Sequence, residues 1–121
     1  MSHTMNIKIE CKDLQSLVIA AGRVGGICSG VAAEHMLFDR SVVKGVGVKL
    51  PGWVYPAVFD TISGVCHYDN YNGEWGDIKQ LHGLQAFYGL EVAKKAAKRQ
   101  GYLVQEVVKD NEIVLKVSVG A

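Results

Sequence analysis

No apolar stretch in this chain approaches the ~20 residues that a helix needs to cross a bilayer. The opening residues, Met1 to Glu10, are polar and lack the hydrophobic centre of a secretory signal. Net charge is nearly absent at +1, so charge alone gives no general affinity for nucleic acid or another polyanion. Cysteine is scarce. Cys11, Cys28 and Cys66 are odd in number and none stands in CxxC spacing, which fits a reduced, cytoplasmic setting. No histidine pair has HxxxH spacing, and Cys66 and His67 are adjacent, so on a strand they point to opposite faces. No metal and no cofactor is therefore expected. Internal repeats, linkers and low-complexity segments are also missing.

What is present is globular: 49% hydrophobic and 21% charged residues in a chain of 121, enough for one core and too short for two ordinary ones. A single α+β domain over 5–119 is expected.

The clearest periodicity lies between Trp75 and Tyr102. Leu81, Leu84, Tyr88, Val92 and Ala96 recur at steps of three and four, which predicts one long amphipathic helix. Lys94, Lys95, Lys98 and Arg99 crowd its last turns, where cations suit the negative end of the helix dipole, and Gly101 is suited to the left-handed stop. Upstream, Asn6 to Cys11 alternates as a half-buried strand, and Asp13 is placed to cap a helix from Leu14 to about Ala21. Leu14, Leu17, Val18 and Ala21 would line that helix's inner face, and Gly22, Gly25 and Gly26 would end it.

Gly26 to Ala33 is small and apolar with weak local signals. Strands are expected at Glu34 to Phe38, Val42 to Leu50, Val54 to Asp60 and Val65 to Tyr68, with a turn at Asp39-Arg40-Ser41. Gly45 and Gly47 share one face of their strand and leave room for a close neighbour, expected to be another part of the fold. Asn72-Gly73 is the tightest turn signal of the loop before the long helix. A final hairpin joins Tyr102 to Val108 with Ile113 to Val119. Runs of strands separated by helices predict an antiparallel sheet with two helices on one face, a ferredoxin-like variant.

Three chemistries can be weighed. Gly22-Arg23-Val24-Gly25-Gly26 follows a helix, whereas a phosphate loop precedes one, so it reads as a helix stop. Cys66, His67 and Asp60 or Asp69 lie close in sequence as a nucleophile, base and orienting acid, but the thiol and imidazole face apart on a strand. The most informative stretch is His67-Tyr68-Asp69-Asn70-Tyr71-Asn72-Gly73-Glu74-Trp75. Flat rings beside amides and carboxylates are the composition of a binding surface. Trp53 and Tyr55 can join it, and Arg23, Arg40 or Lys44 can meet a ligand's charge. The plain alternative is that Trp75 staples the helix start to the core while the tyrosines fill the sheet edge.

Residues at both ends carry a family resemblance. They are Met1-Ser2-His3, Ile7, Ile9, Asp13, Leu14 and Leu17; Tyr55 with Phe59; and Trp75-Gly76, Leu84, Tyr88, Val92, Ala96, Gln100-Gly101-Tyr102, Val104 and Glu106. In these the chain resembles a family of uncharacterised proteins named for hypothetical reading frame thirty-five of algal chloroplast genomes, with relatives in cyanobacteria, other bacteria and phages. Gly22 to Trp53 departs from that pattern. The resemblance implies an α+β fold and a soluble intracellular protein. It implies no catalytic residues, and the phage members suggest a role in infection or counter-defence.

The expected function is a non-enzymatic cytoplasmic binding module, a homo-oligomer that takes a small, nucleotide-like molecule or a protein on the aromatic loop. Two alternatives stand beside it: an assembly protein built on symmetric helix faces, and a small hydrolase or transferase using His67.

Overall fold

The structure is a computed structural model and describes residues 5–8, 11–37, 40, 42–109 and 112–119. The chain divides into two compact units, Met1–Tyr88 and Gly89–Ala121.

The first unit contains β1 (Met5–Lys8), α1 (Leu14–Arg23), β2 (Ile27–Met36), β3 (Val42–Lys49), β4 (Ala57–Phe59), β5 (Val65–Tyr68) and the first half of α2 (Ile78–Arg99). Its five strands form one antiparallel sheet in the order β1-β5-β4-β3-β2. The α+β class and the antiparallel sheet agree with the sequence pattern. The ferredoxin-like pairing is not adopted, because the last two strands of the chain form a sheet of their own.

Alternation along the strands decides which face is covered. Val46 and Val48 of β3, Ala57 and Phe59 of β4, and Cys66 and Tyr68 of β5 share a buried cluster with Leu17, Ala20 and Ala21 of α1 and Leu81, Leu84 and Tyr88 of α2. Both helices therefore bury their apolar stripes against the same side of the sheet.

Helix α1 is rotated from the expected face. Ser16, Leu17, Ala20 and Ala21 are buried, while Leu14 and Val18 are 38% and 42% exposed. Small residues at 16, 20 and 21 let the backbone come close to the sheet. The cost of burying the Ser16 hydroxyl is met locally, since it donates to Asp13 Oδ2 at 2.8 Å. Asp13 does stand at the N-cap, but its side chain makes no capping bond there. Its N–H instead donates to the Tyr88 hydroxyl at 3.0 Å, tying the start of α1 to α2.

After α1, Gly25 takes a left-handed φ of +76° and the Gly26 N–H returns to the Ala21 carbonyl at 2.8 Å. The chain then enters β2 at once. The small-residue stretch with weak local signals is thus the first part of a ten-residue strand, formed by pairing with β3 rather than by propensity. A register shift between Cys28 and Ala32 marks a bulge, with Gly30 at φ +75°. Phe38, Asp39 and Ser41 lie outside the described residues; Arg40 between them has a left-handed φ of 64°. Strand β4 is shorter than expected because the chain around Val54 bonds elsewhere: the Val54 N–H donates to the Trp75 carbonyl at 2.8 Å.

The second unit contains residues 89–99 of α2, the left-handed Gly101 (φ +81°), β6 (Tyr102–Lys109) and β7 (Glu112–Val119). The hairpin register runs unbroken from Tyr102↔Val119 to Lys109↔Glu112, and Asp110 and Asn111 lie outside the described residues. Lys94 is more than a solvated helix end. Its Nζ bonds Glu106 of β6 at 2.8 Å and Glu91 at 3.2 Å.

Candidate binding surface

The aromatic residues named by the sequence separate into two groups. Trp53 and Tyr68 are 1% and 6% exposed and meet edge to face, with ring centroids 5.8 Å apart. The Trp53 Nε1–H donates to the Asp77 carbonyl at 3.2 Å, just ahead of α2. Trp53 is therefore the residue that staples the start of α2 to the core, the part the plain reading gave to Trp75. Trp53 and Tyr68 support a surface and do not form one. Asp69 is also fully buried, so it cannot be an exposed contact either.

Tyr55, Tyr71 and Trp75 form the second group. All three are half-buried. The Tyr71 and Trp75 rings lie 4.7 Å apart at a shallow 31° tilt, and Tyr55 meets Trp75 edge-on at 5.5 Å. The loop that holds them is closed by its own backbone. The Asn70 carbonyl accepts from Gly73 at 3.0 Å and from Trp75 at 2.9 Å, within a 3-10 turn at Tyr71–Gly73. Asn70 Nδ2 donates to the Gly76 carbonyl at 3.3 Å. Tyr71 takes a left-handed φ of 47°, uncommon for a side chain of that size, and its N–H donates to Asp69 Oδ1 at 3.2 Å. Asp69 Oδ2 is buried with no hydrogen-bond partner among the described residues. The buried acid thus holds the strained turn, above which the rings stay half-buried.

The other expected site residues lie on different elements. His67 is half-buried on β5, opposite in the pleat to Cys66 and Tyr68. Cys66 points into the core, where burial chiefly, with Cys11 beside it, pushes its thiol well up from its ordinary value. Thiol and imidazole do not meet, and the Cys66–His67 pairing is removed as a nucleophilic centre. Asp60 is held below the usual carboxylate range, mainly by accepting from the Ile62 and Ser63 N–H groups, with a small contribution from His67. Arg23 ends α1 with its guanidinium 4.3 Å above the Phe87 ring. Arg40 and Lys44 are exposed on the β2–β3 hairpin.

The close approach signalled by Gly45 and Gly47 is internal. A Cβ at Gly45 would lie 2.5 Å from the Phe59 carbonyl oxygen, and one at Gly47 would lie 2.6 Å from the His35 ring. His35 is the close neighbour that the bare strand face at Gly47 signals. Its Nε2 is buried without a hydrogen-bond partner among the described residues.

Among the described residues no group of three His, Cys, Asp or Glu is placed to hold a metal ion. Among the same residues no helix is long and apolar enough to cross a membrane. The second unit carries an open depression of about 580 Å³ over the hairpin, lined by Leu103, Val104, Gln105, Lys116, Val117 and Ser118. Its lining brings together no aromatic ring and no pair of ionisable groups. Comparison with family models, with curated proteins and with solved structures finds no match for this chain.

Proposed function

We propose that this chain is a non-enzymatic cytoplasmic binding module that takes a partner on the rings of Tyr55, Tyr71 and Trp75. The observation that carries this reading is Tyr71. A non-glycine residue in the left-handed region costs about 1–2 kcal/mol. Here that strain keeps a large ring half-exposed on top of Trp75, and backbone strain of this kind gathers where a side chain must be presented. A residue needed only to close the turn would be glycine or asparagine.

The chemistry favours a flat group. A base or an aromatic side chain can stack on the rings of Tyr71 and Trp75. Glu74 and Asp77 are exposed beside the rings, so a bare phosphate is disfavoured there. In the version suggested by the family resemblance, the partner is a nucleotide-like signal or a host protein.

Native mass spectrometry on gently purified protein, compared with the same sample denatured, tests the reading. A bound mass that disappears in Trp75→Ala and Tyr71→Ala, with folding intact, supports it. A bound mass retained equally by both variants overturns it.

A further inference from the structure

We propose that the apolar face of the β6–β7 hairpin is a self-association surface on which a second copy of this chain packs.

The hairpin register puts Tyr102, Val104, Glu106 and Val108 on the same face as their partners Val119, Val117, Leu115 and Ile113. Every residue of that face but Glu106 is apolar. Much of it is open: Val119 is 81% exposed, Val108 74%, Val117 49%, Tyr102 38% and Ile113 37%. The opposite face mixes exposed Gln105, Lys116 and Ser118 with Leu103, 62% exposed, Val114, 39% exposed, and half-buried Val107, so its open apolar area is the smaller of the two.

The single charge on the apolar face is already matched. Lys94 holds Glu106 at 2.8 Å inside the same unit, so covering this face buries no uncompensated carboxylate. A face with no net sign needs no oppositely charged partner. It can meet its own copy across a twofold axis, where the same patch must serve both sides.

Size points the same way. The open apolar side chains amount to roughly 500 Å² per copy, or ~1,000 Å² for a pair, which reaches the lower end of specific interfaces. A two-stranded sheet needs a covering layer to be stable in water. Here Lys94 of α2 reaches Glu106 in the middle of the face, while Val108 and Val119 toward its ends stay open. Packing face to face converts two hairpins into a two-layered core.

Sedimentation equilibrium on the full chain is the test. Wild type is expected to be dimeric at micromolar concentration. Val117→Lys, which places a cation on the apolar face, is expected to weaken the dimer by roughly tenfold or more. Val114→Lys, on the opposite face, should leave it unchanged. Emission from the buried Trp53 reports whether the first unit stays folded. If Val117→Lys misfolds, a cysteine trap decides the matter: Val117→Cys should cross-link between copies under mild oxidation and Val114→Cys should not. A monomeric wild type at high micromolar concentration overturns the proposal. So does a dimer equally indifferent to both lysine variants, or cross-linking equal in both cysteine variants. Tyr55, Tyr71 and Trp75 belong to the first unit and these substitutions to the second, so binding is read in its own experiment.

Discussion

The indole of Trp53 occupies the space that a Cβ would need at Gly76. Three ring atoms, Cγ, Cδ2 and Cε2, would overlap it. The ring cannot step aside, because it is 1% exposed, packed against Tyr68 and bonded through Nε1 to the Asp77 carbonyl. Gly76→Ala should therefore cost about 1–3 kcal/mol, as overpacking of a filled core does. A lowered urea midpoint together with red-shifted tryptophan emission would show it. Unchanged stability would mean that the α2 start is not clamped in this way.

Gly45 and Gly47 offer a paired comparison on one strand face. At Gly45 the obstacle is the backbone of Phe59, with O at 2.5 Å and C at 2.8 Å, so an alanine must push β4 away from β3. At Gly47 the obstacle is the His35 imidazole, a side chain that can turn out. Gly45→Ala is expected to destabilise by more than Gly47→Ala, with a gap on the order of 1 kcal/mol. A double-mutant cycle supplies the second check. Removing the ring with His35→Ala should recover part of the loss in Gly47→Ala, whereas it should not rescue Gly45→Ala.

Those same glycines show how much the sequence could say. Bare positions on a strand reveal that something approaches closely, and they do not reveal what. The long helix was readable because Leu81, Leu84 and Tyr88 keep one period and all three are buried. Strand β5 was readable to the residue. By contrast, β2 begins among Cys28, Ser29, Gly30 and Ala32, whose weak preferences are overruled by pairing with β3. The inner face of α1 is not legible in the sequence, because a buried serine bonded to Asp13 looks polar in a sequence pattern. In the aromatic loop the composition named Tyr55, Tyr71 and Trp75. It could not separate them from Trp53 and Tyr68, since burial of a ring depends on which strand face the fold covers.

The thiols should make the fold sensitive to alkali. Burial pushes the Cys11 thiol up to about 12, and Cys66 is raised further, chiefly by the same cause. In the unfolded chain both would ionise near their ordinary value of 9.0. The stability from keeping them protonated is fully present below that pH. Above it the unfolded state sheds protons that the folded state retains, so stability falls as pH rises toward the folded values. Each thiol contributes at most ~1.4 kcal/mol per pH unit in this range. Denaturant midpoints measured from pH 8 to 11 (about that span) should decline, and Cys66→Ala should flatten the decline. Thiol titration with a disulfide reagent should find half-buried Cys28 reacting well ahead of buried Cys11 and Cys66.

Tyr71 allows stability and binding to be pulled apart. Replacing it with glycine relieves a left-handed strain of about 1–2 kcal/mol. The same change removes the contact with Trp75, and a ring pair of that kind is worth about 0.5–1.5 kcal/mol. The two effects oppose each other, so Tyr71→Gly should unfold within about 1 kcal/mol of wild type. Tyr71→Asn should behave similarly, because asparagine tolerates the left-handed region. If the ring is there to meet a partner, both variants should nevertheless bind at least about tenfold more weakly. Trp53→Ala gives the contrast, since it empties a core position and should lose about 3–5 kcal/mol of stability and binding together. Thermal unfolding and native mass spectrometry on the same preparations read both quantities. A Tyr71→Gly protein that is stable and still holds its partner at full strength would show that the strained turn serves only the loop's own closure.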